Sequence, residues 1–160
     1  MTARLNYAQI SPTLMKKYQD FSMALKSANA IDAAILNLID IRASQMNGCA
    51  FCLDMHVKEA KIRGERELRV HHVAIWRESP LFDAREKAAL AWTEALTRLP
   101  PEGVSDALYA ETRAQFSEKE LADLTFAVMA INGWNRLNAA FKNPPGSADA
   151  FFGLDKANLH

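Results

Sequence analysis

The sequence predicts an all-α domain, and three observations carry that expectation. Glycine, proline and capping residues fall at intervals that suit helices, and the apolar residues between them recur at steps of three, four and seven. No stretch alternates apolar and polar residues between turn signals, as a half-buried strand would.

The elements follow in order. Ser11-Pro12 offers an N-cap with proline at the first helical position, and neither glycine nor proline recurs before Gly48. Ala28-Asn29 reads as a break and Asp32 as a second cap, so helices are expected over Pro12–Ser27 and Ala33–Met46, the second marked by Ile35, Leu38, Ile39 and Met46. Asn47-Gly48 signals a turn, and the next helix should run from Cys49 to Arg63, with Gly64 just past its end. Glu67–Arg77 reads as a fourth helix, stopped by Ser79-Pro80. Asp83 with Glu86 forms a capping-box pattern opening Ala84–Leu99, which Pro100-Pro101 ends. Asp106–Phe116 is shorter, and Ser117 with Glu120 repeats the box before a last helix reaching Lys142. The expectation is six or seven helices with the cysteine motif at the N-terminus of a central one, and a loop-like tail over 144–160 after Pro144-Pro145-Gly146.

Composition narrows the class. At 160 residues, 49% of them apolar, the chain suits one domain over 1–160 with a real core and is too apolar to be disordered. Nineteen basic and nineteen acidic residues cancel, leaving no electrostatic footprint for nucleic acid or an anionic membrane. No apolar run approaches the roughly 18 residues of a membrane span, and Met1–Lys17 lacks the pattern of a signal peptide. A cytoplasmic location is the expectation.

The chemistry concentrates in Asn47-Gly48-Cys49-Ala50-Phe51-Cys52-Leu53-Asp54-Met55-His56, which holds both cysteines of the chain. On a helix, Cys49, Cys52 and His56 share one face, being three and four residues apart. Thiols at a helix N-terminus meet unpaired backbone N–H groups that favour thiolate, and an imidazole one turn on can exchange a proton with them. Other readings compete. A structural zinc site would need a fourth ligand beyond these three, and only His71 or His72 could supply it. Haem attachment needs histidine where Leu53 stands, and a thioredoxin-type site needs a strand where the preceding segment reads as helix. Two inert buried cysteines would be the bland alternative. A redox role best unites thiol, thiol and base.

The run Leu38 to His56, with its Ser-Gln-Met-Asn-Gly-Cys-Ala-Phe-Cys-Leu-Asp-Met-His segment, resembles the core of the AhpD-like alkylhydroperoxidases of the carboxymuconolactone decarboxylase superfamily. Lys61–Gly64, Trp76-Arg77-Glu78, Leu81–Trp92 and Ile131-Asn132-Gly133-Trp134-Asn135-Arg136 extend the likeness over roughly Leu5 to Phe141. The resemblance implies an antioxidant thiol peroxidase acting on small organic hydroperoxides. Cys52 would be oxidised to a sulfenic acid, Cys49 would condense with it to a Cys49–Cys52 disulfide, and His56 would belong to the proton relay. A dithiol or dihydrolipoyl-type reductant, small or protein-borne, would restore the pair without metal or flavin. Homotrimers or homohexamers are implied as well, in keeping with the broadly apolar segments Val73–Trp92 and Leu124–Trp134. Two departures stand out: the family's relay glutamate, twelve residues before the first cysteine, is Asn37 here, and its histidine between the cysteines is Phe51. An amide carries no proton at neutral pH, so Glu78, Glu86 or Asp40 is the candidate replacement, with Glu78 or Glu86 expected to reach His56 or Cys49. The rival functions are a thiol–disulfide partner or sensor, supported by Asn37, and a non-redox binder of small carboxylated ligands resembling the decarboxylases.

The remaining features read structurally. His71-His72 suits packing and hydrogen bonding, and Trp76, Trp92 and Trp134 suit core or subunit contacts. Asn132 and Asn135 would bridge helices or edge a pocket. Lys58, Lys61, Arg63 and Arg66, with Glu59, Glu65 and Glu67 between them, read as a solvated helix face.

Overall fold

The computed structural model of the protein describes residues 2–159. These form nine α-helices: α1 (Tyr7–Ile10), α2 (Pro12–Ala28), α3 (Ala33–Asn47), α4 (Ala50–Ile62), α5 (Glu67–His72), α6 (Ala84–Thr97), α7 (Asp106–Arg113), α8 (Glu118–Phe141) and α9 (Asp149–Phe152). Two 3₁₀ turns, Val73–Ile75 and Leu154–Ala157, complete the order, and there is no strand among the described residues. The fold class is all-α, as the sequence predicts. Met1 and His160, the ends of the expected single domain, lie outside the described residues. Among the described residues no helix is long and apolar enough to cross a membrane.

α3 is the element on which the others are laid, because it is apolar on three sides. Ile35 and Ile39 enter a cluster with Trp92 of α6 and Leu124 and Val128 of α8. Leu38 and Ile41 face Ala60 of α4, Val73, Trp76 and Leu90. Ala43 packs with Cys49, Cys52 and Ile131. Each large aliphatic side chain so buried contributes about 1.5–3 kcal/mol relative to exposure, so α3 is anchored along its length and α4, α6 and α8 are registered against it.

The caps fall where the sequence places them. Asp83 and Glu86 close a reciprocal box at the start of α6, and Ser117 and Glu120 do the same for α8. Three expectations need correcting. The helix expected over Glu67–Arg77 ends at His72 and tightens into a 3₁₀ turn, which brings buried Val73 and Trp76 onto α3 while the Trp76 indole N–H donates to Glu94 at 2.9 Å. The 144–160 tail is not loop-like: Asp149–Phe152 and Leu154–Ala157 are helical turns, and Leu154 and Ala157 are buried. Both elements are four residues long, too short to show a period in sequence. The same brevity hides α1, which Asn6 caps by accepting from the Gln9 N–H. These additions carry the count past six or seven.

Candidate active site at the start of the fourth helix

The turn that makes the site is built by Gly48. It ends α3 in the left-handed region at φ +62°, where glycine alone meets no Cβ penalty. The Cys49 N–H then closes onto Ser44 O at 3.0 Å, and the chain re-enters helix at once. Cys49 is the N-cap of α4, and its Sγ accepts the backbone N–H of Cys52 at 3.4 Å, the place a serine or aspartate oxygen usually takes. Neither cysteine is in a disulfide, and both are buried, Cys49 at 2% exposure and Cys52 at 0%. Phe51 and Trp134 pack against them.

Neutral amides from the end of α3 and from α8 form a network beside the sulfurs. Asn47 Nδ2 donates to Asn132 Oδ1 (3.0 Å) and Asn135 Oδ1 (2.9 Å), and Asn135 Nδ2 donates to Ser44 Oγ (3.0 Å). Asn138 Nδ2 donates to Cys52 Sγ at 3.4 Å. The reduced pair is electrostatically unequal. Hydrogen bonding from the Cys52 thiol draws the Cys49 pKa down, and the Cys52 backbone N–H, Asn135 and the His56 charge add to it, against burial, to give about 7. Cys52 is pushed up, by its bond to Cys49, by burial and by the neighbouring Cys49 charge. Of the two, Cys49 is the more readily ionised and Cys52 the one that keeps its proton.

One turn along α4, His56 is buried with Nδ1 at 2.7 Å from Glu59 Oε2 and 3.6 Å from Asp40 Oδ2 of α3. Burial opposes its charge, yet Asp40 and Glu59 outweigh that and raise its pKa above the usual value. Burial likewise works against Glu59, but the His56 hydrogen bond and charge hold its carboxyl down at about 2. Asp40 shows the reverse balance: burial raises it to about 6 despite the attraction of His56.

The sequence candidates are therefore distributed as follows. Cys52 and His56 lie on α4, and Cys49 caps its start. Asn37 donates Nδ2 to the His56 backbone carbonyl at 3.0 Å, so it ties α4 to α3 instead of meeting the imidazole. Glu86 does not reach His56 or Cys49: it caps α6 and pairs with Arg69 at 2.5 Å. Glu78 sits exposed in the turn after the 3₁₀ segment. Asp40 makes the contact expected of them, and it is joined by Glu59. Glu59 and Lys58 are not part of a solvated face. Lys58 is buried between Asp54 (2.8 Å) and Asp149 (2.6 Å). The i,i+3 spacing of His56 and Glu59 was the available signal for the first pair, whereas Asn138 continues the three-residue step of Asn132 and Asn135.

The other candidates have structural partners. His72 Nδ1 lies 3.0 Å from Ser79 Oγ, and the Trp92 and Trp134 indoles donate to Thr125 and Ser22. No group of three or more His, Cys, Asp or Glu side chains among the described residues is arranged to hold a metal ion. A surface groove of about 550 Å³ lies between α3, α6 and α7, lined by Arg42, Trp76, Glu94 and Arg98 among others, and none of Cys49, Cys52 and His56 opens into it.

Comparison with known proteins matches residues 12–95 to the carboxymuconolactone decarboxylase family. The uncharacterized protein YdfG of Bacillus subtilis is 39% identical over 147 residues, covering 92% of this chain and 99% of that one. A crystal structure from Agrobacterium tumefaciens, ATU0492, is 38% identical with a TM-score of 0.86, over 90% of this chain and 98% of that one. That protein is described as of unknown function, with AhpD antioxidant defence suggested for it. The debrominase Bmp8 shares the fold at a TM-score of 0.75 and 20% identity, over 93% of this chain and 79% of that one, so the fold also carries other chemistry.

Proposed function

Since the chain belongs to the carboxymuconolactone decarboxylase family, we propose that it is an AhpD-type thiol peroxidase that reduces small organic hydroperoxides. The observation that carries this reading is the reduced, buried cysteine pair whose first sulfur caps α4 and whose helix presents a doubly paired histidine one turn later.

The cycle balances with the groups at hand. Cys52 passes its proton to the Cys49 thiolate across their hydrogen bond, and the Cys52 thiolate attacks the peroxide oxygen. The O–O bond breaks, Cys52 becomes a sulfenic acid, and the departing alkoxide takes the His56 proton to leave as an alcohol. Cys49 then attacks the sulfenic sulfur, forming the Cys49–Cys52 disulfide, and the hydroxyl leaves with the Cys49 proton as water. Asp40 and Glu59 favour the imidazolium that this proton transfer requires, in place of the glutamate absent at Asn37. An external dithiol or dihydrolipoyl-type reductant returns both electrons by exchange, and no bound cofactor takes part. Exposed Leu14 and Met23 on α2 and Phe126 and Met129 on α8 support assembly into trimers or hexamers.

A second reading, disulfide exchange with a partner protein, is favoured by the thiolate character of Cys49, the arrangement suited to a first cysteine that attacks a partner disulfide. Stopped-flow mixing of the reduced protein with an alkyl hydroperoxide, beside Cys52→Ser, separates the readings. Rapid turnover lost in Cys52→Ser is expected. Reversible oxidation without turnover would favour the exchange partner, and an unreactive pair would return the protein to small-ligand binding.

A further inference from the structure

Asn138 is 3% exposed and has four polar partners. Its Oδ1 accepts the Tyr7 hydroxyl at 3.2 Å and Asn143 Nδ2 at 2.7 Å. The Trp134 carbonyl, which can only accept, lies 2.9 Å from the other end of the amide and fixes its sense, so the nitrogen is the end that also faces Cys52 Sγ at 3.4 Å. The chain is built to hold this arrangement. Lys142 ends α8 in the left-handed region, and the Asn143 N–H returns to the Asn138 carbonyl at 3.2 Å, which brings the Asn143 side chain back over Asn138. From the other terminus, the Arg4 N–H donates to Phe141 O at 2.8 Å and the Tyr7 ring lies against Phe141 with centroids 5.5 Å apart. Residues more than 130 positions apart therefore converge on one amide.

We propose that Asn138 is a catalytic residue that donates to the Cys52 thiolate, and that Tyr7 and Asn143 are positioning residues that aim and polarise it. The inference rests on the reading above that Cys52 works as a thiolate. Cys49 Sγ already accepts the Cys52 backbone N–H, and Asn135 lies beside both sulfurs; Cys52 Sγ, set among Ala43 and Ile131, has Asn138 as the donor it does not share with Cys49. When the charge moves from Cys49 to Cys52 before attack, this N–H receives it. The same bond serves the reverse half of the cycle, when an external thiolate attacks Cys49 Sγ, the S–S bond breaks and Cys52 leaves with the electron pair. A neutral donor suits both steps, because it stabilises the anion without pairing permanently with it, and an O–H···O=C–N–H···S⁻ chain strengthens each link.

The test is the pH profile of Cys52 alone, in full-length Cys49→Ser protein, followed by iodoacetamide alkylation and by ultraviolet thiolate absorbance. Cys49 is then absent from the titration, and Tyr7 and His56 remain as the ionisable groups nearest the motif. A hydrogen bond to a charged group predicts that Asn138→Leu slows alkylation at neutral pH about tenfold and moves the midpoint upward. Tyr7→Phe, which keeps its ring on Phe141, is expected to slow it about threefold by the loss of one polarising bond. Asn138→Asp should move the midpoint further up than Asn138→Leu, since it sets a carboxylate beside the sulfur. An unmoved midpoint in folded Asn138→Leu or, should that variant not fold, in Tyr7→Phe overturns the proposal. If the midpoint moves while the wild type consumes no peroxide, the peroxidase reading fails and the donor stands. If peroxide turnover is normal and the midpoint stays, the donor role fails alone.

Discussion

Helix α4 carries two basic side chains two positions apart, and two carboxyl groups flank each of them. His56 lies between Glu59 of its own helix and Asp40 of α3. Lys58 lies between Asp54 of its own helix and Asp149 of α9. A step of two residues turns about 200° around a helix, so the triads occupy opposite sides, one toward the central helix and the other under the tail. Their charge counts are alike and their chemistry is not. Burial is the largest single influence on Lys58 and opposes its charge, but Asp149 and Asp54 together outweigh it and raise a pKa already far above neutrality, so the charge is fixed and serves as a strap. The Asp54 carboxylate also accepts the Gly146 N–H at 3.0 Å, which fastens the start of the tail. The histidine triad combines an imidazole whose pKa Asp40 and Glu59 raise against burial with a carboxyl group at about 6, so its protons are far more exchangeable than those of the lysine triad. The same arithmetic of one cation and two anions yields a fastener with lysine and a proton store with histidine.

The largest expected effect separates these roles by activity. His56→Gln keeps a hydrogen-bonding side chain but no transferable proton, and peroxide turnover should fall about a hundredfold, nearly 3 kcal/mol of barrier. Lys58→Met, measured under conditions where it is folded, should leave turnover within about twofold. Steady-state peroxide consumption checks both, and equal losses would show that the two triads do not differ in role.

The next effect reverses the ranking. Lys58→Met strands Asp54 and Asp149 beside an apolar side chain, which should lower unfolding free energy by about 2 kcal/mol in urea melts, below the full value of a buried pair because both carboxylates keep some contact with water. Faster amide exchange at residues 146–157 should accompany it, because the strap holds that segment.

Much of this contrast lay beyond the sequence, for a physical reason. Local signals were legible: the boxes at Asp83–Glu86 and Ser117–Glu120, the left-handed Gly48, and the shared face of Cys49, Cys52 and His56 all depend on neighbours within four residues. Glu59 was within that reach, three residues from His56, and was masked by the alternating charges around it. Long-range partners were not legible. Asp149 meets Lys58 across 91 positions, and Glu86, a plausible relay acid by composition, is claimed by Arg69 from 17 positions away. Whether a charged side chain is solvated, strapped or catalytic is decided by what the fold lays across it. α9 and the adjoining 3₁₀ turn, which cover Lys58, are too short to announce themselves.

The smallest expected effect is the most diagnostic, because it differs in sign between the triads. Asp40 has a folded-state pKa of about 6 against 3.8 for the ordinary group, with burial as the cause. The folded chain thus binds this proton more tightly than the unfolded chain, and stability falls as pH rises from about 4 through 6. Below the unfolded value the group costs nothing; above the folded value the cost is complete. Asp40→Asn cannot ionise, so it should be more stable than the wild type at pH 8 by about 1 kcal/mol, less than the shift alone implies because the amide put in its place must itself be buried and find partners. The gain should vanish near pH 4. Asp149→Asn, the matching change at the strap, removes a charge-assisted bond to Lys58 and should lower stability at pH 8 by a similar amount. Thermal melts of the two variants at both pH values read the comparison directly. Opposite signs at pH 8 would mean that Asp40 is held in a costly state for the sake of His56, whereas a loss in both would make the histidine triad a second strap.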